Sequence, residues 1–156
     1  KIEFITGGAS AKPQEVFDAV RAGIIDIGWG ITAYNPGRFD AAGVVELPML
    51  AHGAGEASVA MAGLYDQGLI DGMDTVKVLG IAGADIMRLH HSSDVAGLSD
   101  FSGAKIRAAG GVLSAMIEKI GGVPVGMPAP SISESLAKNV VDASANDYRH
   151  LLECSL

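Results

Sequence analysis

The sequence alternates short apolar runs of strand length with segments of helical periodicity, and this alternation limits the folds open to it. In residues 13–22, for example, Pro13 suits the first turn of a helix and apolar side chains follow at helical spacing. Strands that alternate with helices at short spacing favour an α/β fold with largely parallel sheets. The pattern predicts helices over residues 13–22, 53–67, 112–120 and 131–138, and strands over residues 1–6, 24–28, 76–80, 86–90, 105–107, 123–126 and 140–144.

Two segments of the chain share one plan. Residues 20–26 and 136–142 each contain the end of a helix, a Gly or Asn, two β-branched residues and an Asp. Gly23 and Asn139 suit the left-handed conformation that ends a helix, and the β-branched pairs suit buried strands. Such units are common in α/β proteins, so the similarity is either coincidental or the mark of two lobes of similar build. In the second case each lobe ends a strand near a shared cleft, because α/β sheets bind ligands beyond the carboxyl ends of their strands.

The charge balance argues against nucleic acid and membrane surfaces as partners. The chain has 18 acidic and 11 basic side chains, and its formal net charge of -7 repels phosphate and anionic lipid. No apolar run approaches the roughly 18 residues that a membrane-spanning helix needs, so we expect no direct membrane insertion. An anionic ligand would have to rely on a few locally placed donors, which draws attention to individual arginines.

No residue pattern indicates a catalytic or metal centre. The single cysteine, Cys154, belongs to no CxxC or Cys/His cluster, and the adjacent His90 and His91 point to opposite faces of a strand. No serine elbow and no converging pair of carboxylates is present. We therefore predict no enzymatic activity, no metal and no cofactor.

The segment Gly53–Ser58 partly matches the dinucleotide-binding pattern G-x-G-x-x-G/A at the start of a predicted helix. Its last position is a serine, and the apolar run before it contains Pro48, which a central strand does not accept. A plain helix start explains the glycines. A nucleotide-binding oxidoreductase fragment stays as the alternative function.

Arg107 is the strongest candidate for binding an anion. It ends the predicted strand 105–107 and precedes the flexible segment 108–111, so its guanidinium can project past a strand end into a cleft. A guanidinium offers two parallel donors to a carboxylate and stays charged at physiological pH. The pattern alone fits a surface arginine at least as well. As a cleft residue, Arg107 is expected to contribute to binding and little to folding.

Several segments, in the order of the chain, resemble the solute receptors of TRAP transporters, the DctP family. They are residues 21–30 (RAGIIDIGWG), 34–39 (YNPGRF), 46–48 (ELP), 98–107 (LSDFSGAKIR), 121–128 (GGVPVGMP) and 140–142 (VVD). The resemblance covers nearly the whole chain. It implies a two-lobe, type II-like periplasmic-binding-protein fold, a periplasmic location and no enzymatic activity.

The resemblance also implies a function and the residues that perform it. The receptor binds a small carboxylate-bearing organic anion between its lobes and delivers it to TRAP membrane subunits. Arg107 resembles the family's carboxylate partner, Arg88 resembles a second cleft arginine, and Asn146 stands where some members place a ligand-contacting asparagine. Tyr148 keeps an aromatic in a segment that otherwise lacks the family's usual Gly and Pro. Trp29 and Tyr148 follow corresponding predicted strands, so both are expected near the cleft.

The expected organisation is lobe I over residues 1–85, lobe II over residues 86–146 and the start of a return or hinge helix over residues 147–156. Members of the family are considerably longer. We therefore expect the fold to be incomplete at both ends, with unpaired strand edges in lobe I.

Overall fold

The computed structural model describes residues 1–149. Within this range the helices are α1 (Val16–Arg21), α2 (Ala54–Asp66), α3 (Gly110–Lys119) and α4 (Ile132–Ala137), and the strands are β1 (Arg88–His91), β2 (Lys105–Ala108), β3 (Val123–Gly126) and β4 (Ala143–Asn146). Short 3-10 helices lie between them, among them Thr32–Tyr34 and Asp40–Glu46. None of the helices in this range has the length and apolar composition needed to cross a bilayer. The helix predicted for residues 147–156 lies, from residue 150 onward, outside the described residues.

The helix ends predicted in the two similar segments are confirmed. Gly23 and Asn139 have φ angles of 69° and 55°, in the left-handed region. In both cases the amide of the next residue donates to the carbonyl five positions earlier, over 2.9 Å after Gly23 and 2.8 Å after Asn139. These bonds satisfy carbonyls that the helix itself leaves without partners. Helices α1 and α4 therefore end by the same local device.

The four strands form one mixed sheet in the order β1-β4-β2-β3. Strand β2 runs parallel to β3 and β4, and β1 pairs antiparallel with β4. Successive side chains of a strand point to opposite faces, which gives this sheet one apolar and one polar face. Residues of the apolar face form a core cluster with α3 and the segment before β2, made of Phe101, Ile106, Ala108, Ile117, Ala143 and Ala145.

A second hydrophobic cluster lies in the first half of the chain, made of Phe39, Ala42, Met61, Ile70 and Met73. Helix α1 joins this cluster through Phe17. The Arg38 guanidinium lies 4.2 Å from the centre of the Phe17 ring and pairs with Asp18 over 2.9 Å. Each half of the described chain thus has its own hydrophobic core, as two lobes require. The boundary between lobe I and lobe II at residue 85 stays a prediction.

Three predicted strands do not form among residues 1–149. Residues 1–6, 24–28 and 76–80 belong to no ladder of the described sheet. Several of their apolar side chains are open to solvent, with Phe4 87% and Leu79 74% exposed, although Val78 packs against the second cluster. These predictions are wrong for this structure, because an apolar run does not by itself supply the neighbour that completes a strand's hydrogen bonds.

Candidate ligand-binding site

The polar face of the sheet collects most of the predicted site residues. Alternation along β4 places Ser144 and Asn146 on this face, opposite the alanines that enter the core. In the strand register Arg88 pairs with Asn146 across β1 and β4, and Arg107 pairs with Ser144 across β2 and β4. Three strands thus bring Arg88, Arg107 and Asn146 to one surface.

Arg107 is almost fully buried at the centre of this face, with 4% of its surface exposed. Its Nε donates to the Met127 carbonyl over 2.9 Å. One terminal nitrogen donates to the Ala145 carbonyl over 3.2 Å and to the Asn146 side-chain oxygen over 2.8 Å, and the other donates to the Tyr34 hydroxyl over 3.4 Å. A buried cation is tolerated only when such partners are present, so these acceptors fix the plane of the guanidinium.

This burial corrects one expectation from the sequence. A guanidinium that projects freely into a cleft contributes little to folding. Arg107 instead ties β2 to β4, to the residue after β3 and to the 3-10 helix Thr32–Tyr34. Removing the side chain leaves buried acceptors without partners, at about 1–3 kcal/mol each. We therefore expect Arg107→Ala to lower the free energy of unfolding as well as the affinity.

Asn146 is 2% exposed and carries an unused donor. A guanidinium has only donors, so the side-chain oxygen of Asn146 must face Arg107 and its nitrogen turns away. Within residues 1–149 that nitrogen, Nδ2, has no hydrogen-bond partner, and the same holds for the buried Oγ of Ser144. Buried polar groups without partners are rare and costly. An acceptor bound next to Asn146 would satisfy the Nδ2 donor.

Tyr34 is a candidate site residue that the sequence reasoning missed. It precedes Arg107 by 73 positions, yet its hydroxyl accepts hydrogen bonds from Arg107 and, over 2.9 Å, from the Ala129 amide. Gly110 permits this approach, because its φ is +83° and a Cβ there would lie 2.8 Å from the Cβ of Ala33. In the sequence, the pair Gly110–Gly111 was the one local sign that another segment approaches the chain after Arg107. It marks a close backbone approach and not only flexibility.

Arg88 and Tyr148 lie next to one another beside Asn146. The Arg88 guanidinium stacks on the Tyr148 ring, 4.3 Å from its centre, and donates to the Ile86 carbonyl over 3.1 Å. Tyr148 remains 59% exposed. The stacking gives this edge of the polar face both a positive charge and an aromatic surface.

The adjacent histidines point to opposite faces of β1, as predicted. A ring nitrogen of His90 lies 3.3 Å from the Asn146 carbonyl oxygen, and its ring lies 5.8 Å from that of Tyr148. The His91 ring instead packs 5.6 Å from the Phe101 ring, on the apolar side. Within residues 1–149 no three His, Cys, Asp or Glu side chains come close enough together to hold a metal ion.

Trp29 is not brought into the Arg107 cluster. Its side chain is 78% exposed. The hydrogen bonds and ring contacts described for residues 1–149 join Arg107, Asn146 and Tyr148 to other partners and not to Trp29. Its position near a ligand cleft stays a prediction.

A cavity of about 270 Å³ lies between the 3-10 helix Asp40–Glu46 and the start of α3. The carboxylate-bearing residues Asp40 and Glu46 line it. Burial raises the pKa of Glu46, because a charged carboxylate is poorly solvated there. Two acidic side chains disfavour an anion, so the polar face around Arg107, and not this cavity, is the candidate anion site.

The structure does not support the dinucleotide-binding interpretation of Gly53. That pattern requires a strand that leads through a tight turn into a helix. Gly53 does precede α2, but residues 40–46 before it form a 3-10 helix, and no strand of the described sheet leads into the turn. The glycines mark a helix start.

Residues 1–149 form a mixed α/β fold with a buried polar face, and the class of protein follows from comparison with known proteins. The chain matches, over residues 1–156, the family model DctP, described as bacterial extracellular solute-binding protein, family 7. The chain belongs to this family. The predicted resemblance and the α/β binding-protein fold are both confirmed.

Three solved structures illustrate the similarity. A marine metagenome TRAP solute binding protein specific for aromatic acid ligands, in complex with metahydroxyphenylacetate, is 31% identical with a TM-score of 0.88, and the match covers 94% of this chain and 46% of that chain. A TRAP solute binding protein from Rhodoferax ferrireducens with copurified benzoate is 28% identical, TM-score 0.85, covering 92% and 45%. A periplasmic protein of this kind from Bordetella bronchiseptica, with bound (R)- and (S)-mandelate, is 30% identical, TM-score 0.84, covering 95% and 48%. The chain spans about half the length of these relatives.

Proposed function

We propose that the chain is the ligand-holding part of a periplasmic receptor that binds a small carboxylate-bearing organic anion between two lobes and delivers it to TRAP membrane subunits. The observation that carries this proposal is the polar face of the sheet, where buried Arg107 orients Asn146 and leaves the Nδ2 donor of Asn146 without a partner. A carboxylate bound here accepts a hydrogen bond from Asn146 Nδ2 and so removes the cost of a buried donor without a partner. Because the net charge of -7 opposes an approaching anion, capture depends on donors placed locally on this face, of which Asn146 Nδ2 is one.

Aromatic monocarboxylates are the ligand class that the relatives favour. The three similar structures hold metahydroxyphenylacetate, benzoate and mandelate. The chain offers a half-exposed aromatic ring, Tyr148, beside Arg88 and close to Asn146. A ligand ring can pack on Tyr148 while its carboxylate meets the donors around Arg107.

Binding requires no covalent chemistry. A carboxylate that enters the site exchanges its water shell for charge-assisted hydrogen bonds, and Asn146 Nδ2 gains an acceptor. The ligand stabilises the closed arrangement of two lobes only through contacts that exist in that arrangement. Release to membrane subunits then requires the lobes to separate.

A thermal-shift screen of the full-length protein tests this function. The panel consists of benzoate, 3-hydroxybenzoate, mandelate, 2-oxo acids, dicarboxylates and sugar acids, with benzamide as the neutral match of benzoate. An acid at 100 times its Kd adds about 2.7 kcal/mol to the free energy of unfolding, which raises Tm by roughly several degrees. We expect this rise with at least one aromatic acid and not with benzamide.

Two outcomes contradict the proposal. One is a panel in which no acid raises Tm. The other is stabilisation by NAD or NADH together with indifference to the acids, which would support the oxidoreductase alternative.

A further inference from the structure

Tyr34 joins the two predicted lobes at the polar face. It belongs to residues 1–85, whereas both groups that donate to its hydroxyl belong to residues 86–146. These donors are the Arg107 guanidinium, 3.4 Å away, and the Ala129 amide, 2.9 Å away. The hydroxyl therefore links one predicted lobe to the residue of the other that we propose as the ligand's anchor.

The Tyr34 hydroxyl can form one more hydrogen bond, in which it acts as the donor. A phenolic oxygen has two acceptor positions and one hydrogen. Arg107 and Ala129 donate to the oxygen, so the phenolic hydrogen points away from both and is available to a third partner. Residues 1–149 provide no hydrogen bond from the Tyr34 hydroxyl to such a partner. A donor therefore stands beside Arg107, whose guanidinium also orients Asn146.

Packing keeps this donor in place. Ala33, the residue before Tyr34, lies so close to Gly110 that a Cβ at position 110 would meet the Ala33 carbonyl oxygen at 3.1 Å. The close contact holds the 3-10 helix against the turn between β2 and α3. Separation of the two parts of the chain at this contact would carry the Tyr34 backbone away from Arg107.

We propose that Tyr34 couples ligand binding to closure: its phenolic hydrogen is donated to the carboxylate of the bound ligand, so that the anion is held from both lobes at once. This inference rests on the proposed function, because it needs a carboxylate at the Arg107 face. Beyond that function, it states that the first predicted lobe contacts the anion directly. A ligand held by Arg107 and Asn146 alone would bind equally well with the lobes apart, and would not favour closure.

Tyr34→Phe in the full-length protein removes the hydroxyl and little else. Tyr65→Phe is the matched control, because Tyr65 is a half-buried tyrosine of α2 whose hydroxyl makes no hydrogen bond within residues 1–149. Affinities for benzoate, 3-hydroxybenzoate and mandelate are measured by titration calorimetry. Loss of one hydrogen bond to a charged group predicts about 10- to 150-fold weaker binding for Tyr34→Phe and a change within about threefold for Tyr65→Phe.

Infrared spectroscopy separates direct contact from a structural role. The antisymmetric stretch of a carbon-13-labelled carboxylate responds to the number of donors around it. We expect the band of the bound acid to shift in Tyr34→Phe and to stay in place in Tyr65→Phe. A tyrosine that only braces the lobes would weaken binding and leave the band of the bound acid unmoved.

The outcomes distinguish this inference from the function on which it rests. If the wild type binds an acid of this set, but Tyr34→Phe binds it equally well or leaves its band unmoved, the role of Tyr34 is overturned and the receptor function stands. If the wild type binds none of the three acids, the role of Tyr34 falls together with the aromatic-acid function.

Discussion

The Arg107 guanidinium and the side-chain oxygen of Asn146 lie 2.8 Å apart on neighbouring parallel strands, although 39 positions separate the two residues. Parallel pairing of β2 with β4 requires a crossover, and here α3, β3 and α4 provide it. The crossover thus sets a side chain that only donates hydrogen bonds against an amide that can both donate and accept. Asn146 is turned in one direction as a result, with its Nδ2 donor away from Arg107.

Asn146→Asp tests this orientation. The aspartate keeps an oxygen that faces Arg107, but it replaces the Nδ2 donor by an oxygen that repels a carboxylate. We expect the folded state to persist, because Arg107 and the new carboxylate form a charge-assisted pair. Affinity for the aromatic acid should fall by about 30-fold or more, the effect of disrupting a buried charge contact.

Calorimetry and melting curves of the full-length protein measure both effects. Gln67→Glu, at the exposed end of α2, adds the same charge at the surface and is expected to bind like the wild type. Unchanged binding by Asn146→Asp would place the ligand away from Asn146.

Trp29 offers an optical test of the predicted cleft. It is the only tryptophan of the sequence, and its indole is 78% exposed. If lobe closure covers Trp29, its emission moves to shorter wavelength when ligand saturates the full-length protein. No change in emission, with binding confirmed by calorimetry, would remove Trp29 from the site.

Glu46 predicts how stability depends on pH. Burial raises the pKa of Glu46 above its ordinary value of 4.5, so in the window just above that value the folded state binds more protons than the unfolded state. The free energy of unfolding therefore falls as pH rises through this window, and the penalty is complete once Glu46 is ionised in the folded state. Glu46→Gln carries no charge to desolvate. We expect it to raise Tm at about pH 7 and to change Tm little at about pH 4.

Glu56→Gln is the control, because the pKa of Glu56 is shifted in the opposite direction from that of Glu46. Hydrogen bonds from His52 lower the pKa of Glu56, which is exposed at the start of α2, so its carboxylate favours the folded state above the ordinary pKa. Its replacement should not raise Tm at about pH 7. A Tm difference for Glu46→Gln that is the same at both pH values would show that burial of the carboxylate is not its cause.

Local signals carried most of what the sequence predicted correctly. Gly23 and Asn139 predicted two helix ends, because the tolerance of a positive φ depends on the type of the single residue and not on its distant neighbours. The alternation of small apolar and polar residues from Ala143 to Asn146 fits a strand with a core face and a polar face, and the register then brings Asn146 to Arg107. Family resemblance, not spacing, singled out Asn146 and Arg88.

Features that depend on distant partners could not be predicted. Residues 1–6 have a strand-like pattern, but a strand exists only where another segment completes its ladder. Tyr34 meets Arg107 because the chain folds back onto the turn after β2, and no local pattern around Tyr34 encodes that contact. The burial of Arg107 follows from the same packing, and it could not be predicted from a local pattern that fitted a surface arginine at least as well as a cleft residue.

The decisive experiment for Arg107 is a titration of the wild type and of Arg107→Lys with the aromatic acid that binds best in the thermal-shift panel. Lysine keeps the positive charge, but it lacks the planar fork that holds Asn146 and matches a carboxylate. Melting curves of the ligand-free proteins show whether Arg107→Lys remains folded. We predict that folded Arg107→Lys binds the acid at least about tenfold more weakly than the wild type. Binding within about threefold would contradict this prediction, because the buried guanidinium would then not be the anchor of the anion.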